Sequence, residues 1–407
     1  MTFLYRLRAY LAVMMLRYLP RNTPIVFCGA GSSLQLVEHV ALLGLNKVLV
    51  VTDEFLHNSG LLTEVLGALD AHNIAFEIYD GVLPDPSFDQ VQAGEALYRS
   101  TDCQGVFAIG GGSVLDAAKL LSILHTNPRS LAQFLPAQRC KNAGVPLFAV
   151  PTTAGTGSEI TPVAVITDQE THQKTAVVDT RMIPGHIALD AAIMRTMPPG
   201  VTAATGMDAL THAVESYLSR GSNEVTERQA EAATRLIFRH LPTACKNGDD
   251  LIARDAMATA AFYAGSAFSR TSVGYVHAIA HQLGAICGTP HGNANAMVLP
   301  EVLTAYGDCV HVRLAQLARR CDFASEGRTE AVVANEFIRA IVDMRAKLEL
   351  PILPRGLRDE HVTGVVREAI RETGELYPVP RYFSAQEIER IVRGLLPASQ
   401  PKTTALN

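Results

Sequence analysis

Residues 274–300, GYVHAIAHQLGAICGTPHGNANAMVLP, contain no Lys, Arg, Asp or Glu. Three histidines, His277, His281 and His291, stand in this small and apolar background. One such histidine would read as a hydrogen-bonded core residue. Three together each need a polar partner once water is excluded, and the run itself supplies no ionic one. A metal or a catalytic site is a partner common to all three. Position 278 lacks a glutamate and holds Ala278, which excludes the His-Glu-x-x-His pattern of metalloproteases.

Other absences bound the function further. The net charge of −5 includes no basic excess, so nucleic acid is not an expected partner. The seven cysteines show no C-x-x-C spacing and are odd in number, which points to reduced thiols in a cytoplasmic protein. The apolar N-terminal stretch MTFLYRLRAYLAVMMLRYLP is interrupted by Arg17 and lacks a small-x-small cleavage pattern, so it does not read as a secretory leader. It is also too short and too charged to span a bilayer. We expect residues 1–22 to form an extension that docks as a helix on its own subunit or a neighbour, with membrane-surface contact through residues 1–20 as the alternative.

What is present begins with an alternating pattern over residues 25–190. Apolar runs at 48–52, 75–79, 105–109 and 146–150 predict strands, and 34–43, 60–72, 88–99 and 113–124 predict helices. This rhythm predicts an α/β domain with a parallel, Rossmann-like sheet, whose ligands bind beyond the carboxyl ends of the strands. Asp53 follows the 48–52 strand, where a carboxylate would accept from a ribose diol and repel an extra 2′-phosphate; the alternative is a turn or cap residue. Gly110, Gly111, Gly112 and Ser113 follow the 105–109 strand and open a helix, a place suited to a pyrophosphate. The loop after 146–150 reads PTTAGTGSE, rich in hydroxyls and glycines, and two such loops at neighbouring strand ends favour a bound polar ligand. The turn at Gly29, Ala30 and Gly31 reads as a helix start.

Composition changes around residues 197–200, and helical periodicity then runs nearly to the end. We place domain limits at 1–22, 23–199 and 200–407, the last domain being all-α. Asp208 and His212 are four apart and would share a helix face. One carboxylate and one imidazole there, joined by two imidazoles from 277–291, would make a four-ligand site for a divalent transition metal.

These motifs resemble the iron-containing (group III) alcohol dehydrogenases, the family that includes lactaldehyde reductase, 1,3-propanediol dehydrogenase and butanol dehydrogenases. The resemblance extends over residues 24–395. It implies a dehydroquinate synthase-like fold, with NAD on the N-terminal domain, metal on the helical domain and the active site between them. It assigns Asp208, His212, His277 and His291 as metal ligands. Asp53, Gly110, Gly111, Gly112, Ser113, Asp116, Thr152, Thr153, Thr156 and Lys174 match cofactor contacts. His281 matches a histidine beside the metal and is our candidate proton relay. Val163, Phe268 and Val273 match a largely apolar substrate pocket. The family also implies a homodimer and Fe(II), with Zn(II) as an alternative metal.

The chain departs from the family pattern at Phe268-Ser269-Arg270 and at Pro378-Val379-Pro380-Arg381, both expected near the substrate. The reaction implied is reversible hydride transfer between a small or medium primary alcohol and NAD. Three alternatives stand beside it: a hydroxyacid–oxoacid transhydrogenase with tightly held cofactor, a dehydroquinate synthase-like lyase, and a scaffold subunit without chemistry.

Overall fold

In a computed structural model of the chain, residues 23–134, 140–167, 174–323 and 327–397 are described. The N-terminal extension therefore lies outside the described residues. Six strands form one all-parallel sheet: β1 (Ile25–Cys28), β2 (Lys47–Val51), β3 (Ala75–Tyr79), β4 (Gly105–Gly110), β5 (Leu147–Pro151) and β8 (His186–Leu189). Their order is β1-β8-β5-β4-β2-β3. The remaining two strands, β6 (Val163–Thr167) and β7 (Lys174–Val178), pair antiparallel as a separate hairpin.

The central strands are apolar throughout because both faces are covered. In β2, Val48 and Val50 point into one core and Leu49 and Val51 into the other; β4 divides the same way, with Phe107 and Ile109 opposed to Val106 and Ala108. Helices α1 (Ser32–Leu42) and α3 (Thr63–Ala71) cover the first face, and α4 (Phe88–Ser100) and α5 (Gly112–Thr126) the second. A continuous apolar run is the pattern a doubly covered parallel strand requires. Each fully buried Val, Leu or Phe contributes about 1.5–3 kcal/mol.

The expected helix 60–72 is α3, shortened at its start, and a short helix that the sequence pattern did not mark precedes it. Gly60, at φ 79, separates the short α2 (Glu54–Asn58) from α3, because a left-handed residue cannot continue a right-handed helix. Another short helix, α6 (Leu131–Phe134), precedes β5. The edge strand β1, its neighbour β8 and the β6–β7 hairpin were not distinguished in the sequence pattern, since four or five residues leave little periodicity to read.

From Pro199 onward every regular element among the described residues is helical: α7 (Pro199–Leu218), α8 (Glu224–Lys246), α9 (Leu251–Thr271), α10 (Tyr275–Cys287), α11 (His291–Tyr306), α12 (Asp308–Arg320), α13 (Glu330–Lys347), α14 (Asp359–Leu376) and α15 (Ala385–Gly394). Pro198 and Pro199 start α7 where a missing N–H costs nothing. Helix α7 runs through the centre of this region and is buried almost end to end. Its start is anchored by the buried Arg254 of α9, whose guanidinium donates to Thr202 Oγ1 at 2.8 Å and to the Met197 carbonyl at 3.0 Å. Among the described residues, no helix is long and apolar enough to cross a membrane.

Candidate active site

Asp208, His212 and Glu215 lie on one face of α7, at spacings of four and three. Facing them, α10 carries His277 and His281. The chain then turns through Gly288, which adopts φ 63, and Thr289 and Pro290 follow. Pro290 caps α11, so His291 is the first residue of a helix and not part of the turn.

The four expected ligands come together. Nε2 of His291, His277 and His212 lie 3.4, 3.7 and 3.8 Å from the single oxygen Oδ1 of Asp208. The ligating atoms of Asp208, His277 and His291 all lie within 4.8 Å of one another. His212 stands just beside this group, its ring stacked between Phe268 at 4.1 Å and His277 at 4.6 Å. Asp208, His212 and His277 are buried, whereas the His291 side chain is 42% exposed and forms the open side of the cluster.

Two further residues, unassigned in the sequence analysis, complete the group. Glu215 Oε2 lies 2.6 Å from His277 Nδ1. Asn295, one helical turn after His291, places Nδ2 2.7 Å from Asp208 Oδ1 and 3.2 Å from Nε2 of both His277 and His291. The i,i+4 spacing of His291 and Asn295 was a usable signal, as was the presence of Glu215 on the Asp208 face.

This geometry fits a divalent cation. Asp208 Oδ1 and Nε2 of His277 and His291, each able to ligate a cation, gather around the one amide nitrogen of Asn295. Imidazole and carboxylate donors in this ratio suit Fe(II) or Zn(II). Burial opposes ionisation of Asp208, yet the imidazoles of His212 and His291 hold its carboxyl far below the ordinary range. Burial drives His212 down to about 4. Burial also works against a charged His277, but its hydrogen bonds to Asp208 and Glu215 prevail and push it up to about 9.

His281 stands apart from this knot. Its Nδ1 lies 2.7 Å from Glu372 Oε1 of α14, which also accepts from Tyr377 Oη at 2.5 Å. Its ring stacks on His291 with centroids 5.4 Å apart, and its side chain is 41% exposed.

The glycine-rich turns meet beside the cluster. Gly110 ends β4, Gly111 caps α5, and Gly112 and Ser113 begin that helix. Thr152 N donates to the Gly110 carbonyl at 3.0 Å, which locks the two strand ends together. A Cβ on Gly111 would touch Thr153 and one on Gly112 would press on Thr156. The same loop reaches the helical domain: a Cβ on Gly155 would meet Thr205 Cβ at 2.5 Å, and one on Gly157 would meet Gly265 Cα at 2.6 Å. Thr205 is one turn before Asp208 and Gly265 one turn before Phe268, so the loop abuts the cation cluster directly.

Other expected residues have partners within the protein. Asp53 caps α2, with Oδ1 accepting from Leu56 N at 2.9 Å. Asp116 accepts from Ser158 Oγ and Lys119 Nζ through Oδ1 and from Val165 N through Oδ2, so it braces the loop. Lys174 opens β7 and pairs with Asp85 at 2.6 Å. Val163, which begins β6, accepts from Lys119 through its carbonyl. Val273 lines a cavity of about 10 Å³ with Glu215 and Tyr306.

Comparison with known proteins agrees with this geometry. Residues 23–191 match the family model described as iron-containing alcohol dehydrogenase, and residues 202–396 match that of the Fe-containing alcohol dehydrogenase family, C-terminal. Alcohol dehydrogenase 4 of Schizosaccharomyces pombe is 40% identical over 274 residues, 67% of this chain and 65% of that one. NAD-dependent methanol dehydrogenase of Bacillus methanolicus is 33% identical over 375 residues, 92% of this chain and 98% of that one. A crystal structure of 1,3-propanediol oxidoreductase superposes with a TM-score of 0.89 at 36% identity, covering 93% of this chain and all of that one. The chain therefore belongs to the iron-containing alcohol dehydrogenase family.

Proposed function

We propose that this protein is a metal-dependent alcohol dehydrogenase and aldehyde reductase, transferring hydride reversibly between a small or medium primary alcohol and NAD. The observation that carries the proposal is the approach of three imidazole Nε2 atoms to one oxygen of Asp208, beside the hydroxyl-rich loop 152–158. Asp208, His212, His277 and His291 would hold the metal, Fe(II) in this family and Zn(II) as the alternative. When bound, the cation supplies a Lewis acid that favours loss of the alcohol proton at neutral pH.

The chain's own side chains supply the rest. Glu215 holds His277 in place, and Phe268 covers His212 with an apolar face that suits an aliphatic substrate. Gly110 to Ser113 would seat the pyrophosphate at the start of α5, where unpaired N–H groups and the helix dipole favour an anion. Thr152, Thr153, Thr156 and Lys174 would complete the cofactor contacts. Asp53 keeps Oδ2 clear of its capping bond, and that oxygen would take the ribose diol and repel a 2′-phosphate. His281, exposed at the cluster's edge and held by Glu372, would pass the alcohol proton toward solvent. We divide the chain at residues 22 and 199, a division supported by the change from sheet to helix at Pro199. A cytoplasmic homodimer is part of the same reading, with the free cysteines bearing on the compartment alone.

The deciding experiment is anaerobic purification with metal analysis, followed by an NADH-oxidation screen over aldehydes. Net NADH consumption with a single aldehyde is expected, and it excludes both the transhydrogenase and the internally reoxidised lyase. Full turnover in metal-stripped protein would overturn the Lewis-acid mechanism.

A further inference from the structure

Glu215 is not among the four residues that would hold the metal, yet it is buried in the helical domain with both carboxylate oxygens occupied. Oε2 accepts from Gly274 N at 2.9 Å and from His277 Nδ1 at 2.6 Å, while Oε1 accepts from Val276 N at 2.8 Å. Gly274 and Val276 bracket the first turn of α10, whose N–H groups have no partner within the helix. Gly274 brings no side chain to cap that end. Glu215 thus reaches across from α7 and caps α10 while holding the histidine two residues into it.

We propose that Glu215 is the positioning residue of the metal centre: it fixes the His277 ring so that Nδ1 keeps its proton and Nε2 turns its lone pair to the cation. This rests on the metal-dependent reading above. An ionised carboxylate only accepts hydrogen bonds, so His277 Nδ1 must be the donor in this pair. The remaining nitrogen, Nε2, faces Asp208 Oδ1 and Asn295 Nδ2. A carboxylate behind a ligating imidazole orients the ring and raises its basicity. The packing leaves the carboxylate little freedom, since a Cβ at residue 274 would sit 2.7 Å from Glu215 Oε1.

Glutamine cannot replace it. Three N–H groups arrive at two oxygens, and an amide has one oxygen and one NH₂, so one side must meet donor against donor. When the NH₂ faces His277, the ring proton moves to Nε2, where the cation must bind. The test strips wild type and Glu215→Gln of metal and titrates each with Zn(II) against a chromophoric chelator. NAD affinity and the thermal midpoint of the stripped protein are measured in parallel, and Co(II)-loaded samples are compared by visible absorption. We expect Zn(II) affinity to fall by about 10- to 100-fold and the Co(II) bands to change, with NAD affinity unchanged. Gly274→Ala, which displaces the carboxylate but keeps its charge, should shift Zn(II) affinity in the same direction, and it decides the matter if Glu215→Gln does not fold. Wild-type Zn(II) affinity and Co(II) bands in the variants overturn the proposal, as does a lowered stripped midpoint with unchanged affinity, which leaves Glu215 as a helix cap alone. Wild type that fails to bind Zn(II) would instead overturn the function proposed above, and this inference with it.

Discussion

Asn295 donates its side-chain amide to Asp208 Oδ1 at 2.7 Å, linking the start of α11 to the middle of α7 inside the cation cluster. The same nitrogen stands 3.2 Å from Nε2 of His277 and His291, and Asn295 Oδ1 has no partner of its own. In stripped protein this amide is a close hydrogen-bond donor to a buried carboxylate. Asn295→Ala should therefore destabilise the stripped form by about 1–3 kcal/mol, the cost of leaving a buried acceptor unpaired. The metal-loaded form should lose less, widening the gap between thermal midpoints with and without chelator.

His277→Ala and His291→Ala each remove an Nε2 from the cluster. Metal retention should fall by more than about 100-fold, beyond what loss of a supporting residue costs, and NAD-linked alcohol oxidation should fall with it. Metal analysis of the purified variants beside a turnover assay checks both.

Asp53→Gly should shift cofactor preference toward NADP by about tenfold or more, as expected when one unfavourable charge pair is removed. The lost cap on α2 should cost only a few tenths of a kcal/mol, because glycine is itself tolerated at that position. The ratio of kcat/KM for the two cofactors is the readout, and an unchanged ratio removes Asp53 from the role.

His281→Ala should lower kcat by about 10²-fold, the low end of what a positioned proton-transfer group supplies, with metal content intact. Loss of metal in this variant would place His281 among the structural supports of the cluster instead.

Glu159, in the loop behind the cofactor turns, is buried, and burial pushes its carboxyl up to about 7. The unfolded chain ionises this group from its ordinary value of 4.5 upward, while the folded protein holds the proton to about 7. Stability is therefore lost progressively as pH rises across that window and stays lower above it. Glu159→Gln removes the effect. Unfolding free energies of the two stripped proteins should agree near the acid end and differ by about 3 kcal/mol above pH 7, with the variant the more stable.

Much of the molecule was legible in one dimension. The strands β2, β4 and β5 announced themselves as apolar runs because they are buried on both faces, while the edge strand β3 keeps Glu77 among its apolar residues. The short helix α2 left no mark, since five residues are little more than one turn of the helical period. Asp53 showed both of its readings: the structure displays the helix cap, and the ribose contact remains a proposal.

At the site, the sequence by itself determined the donor inventory and its local order: Asp208 with His212 on one helix face, His277 with His281 on another, and His291 beyond a Gly-Thr-Pro break. Helical periodicity supplies that much, because residues four apart must share a face. The tertiary structure decided which atoms meet. The approach of Nε2 of His277 and His291 to Asp208 Oδ1, the hold of Glu215 on His277, the amide of Asn295 at the centre and the claim of Glu372 on His281 all join separate helices. Such pairings depend on how helices cross and how closely they pack, which is set by side-chain volumes across the whole core and not by spacing along the chain.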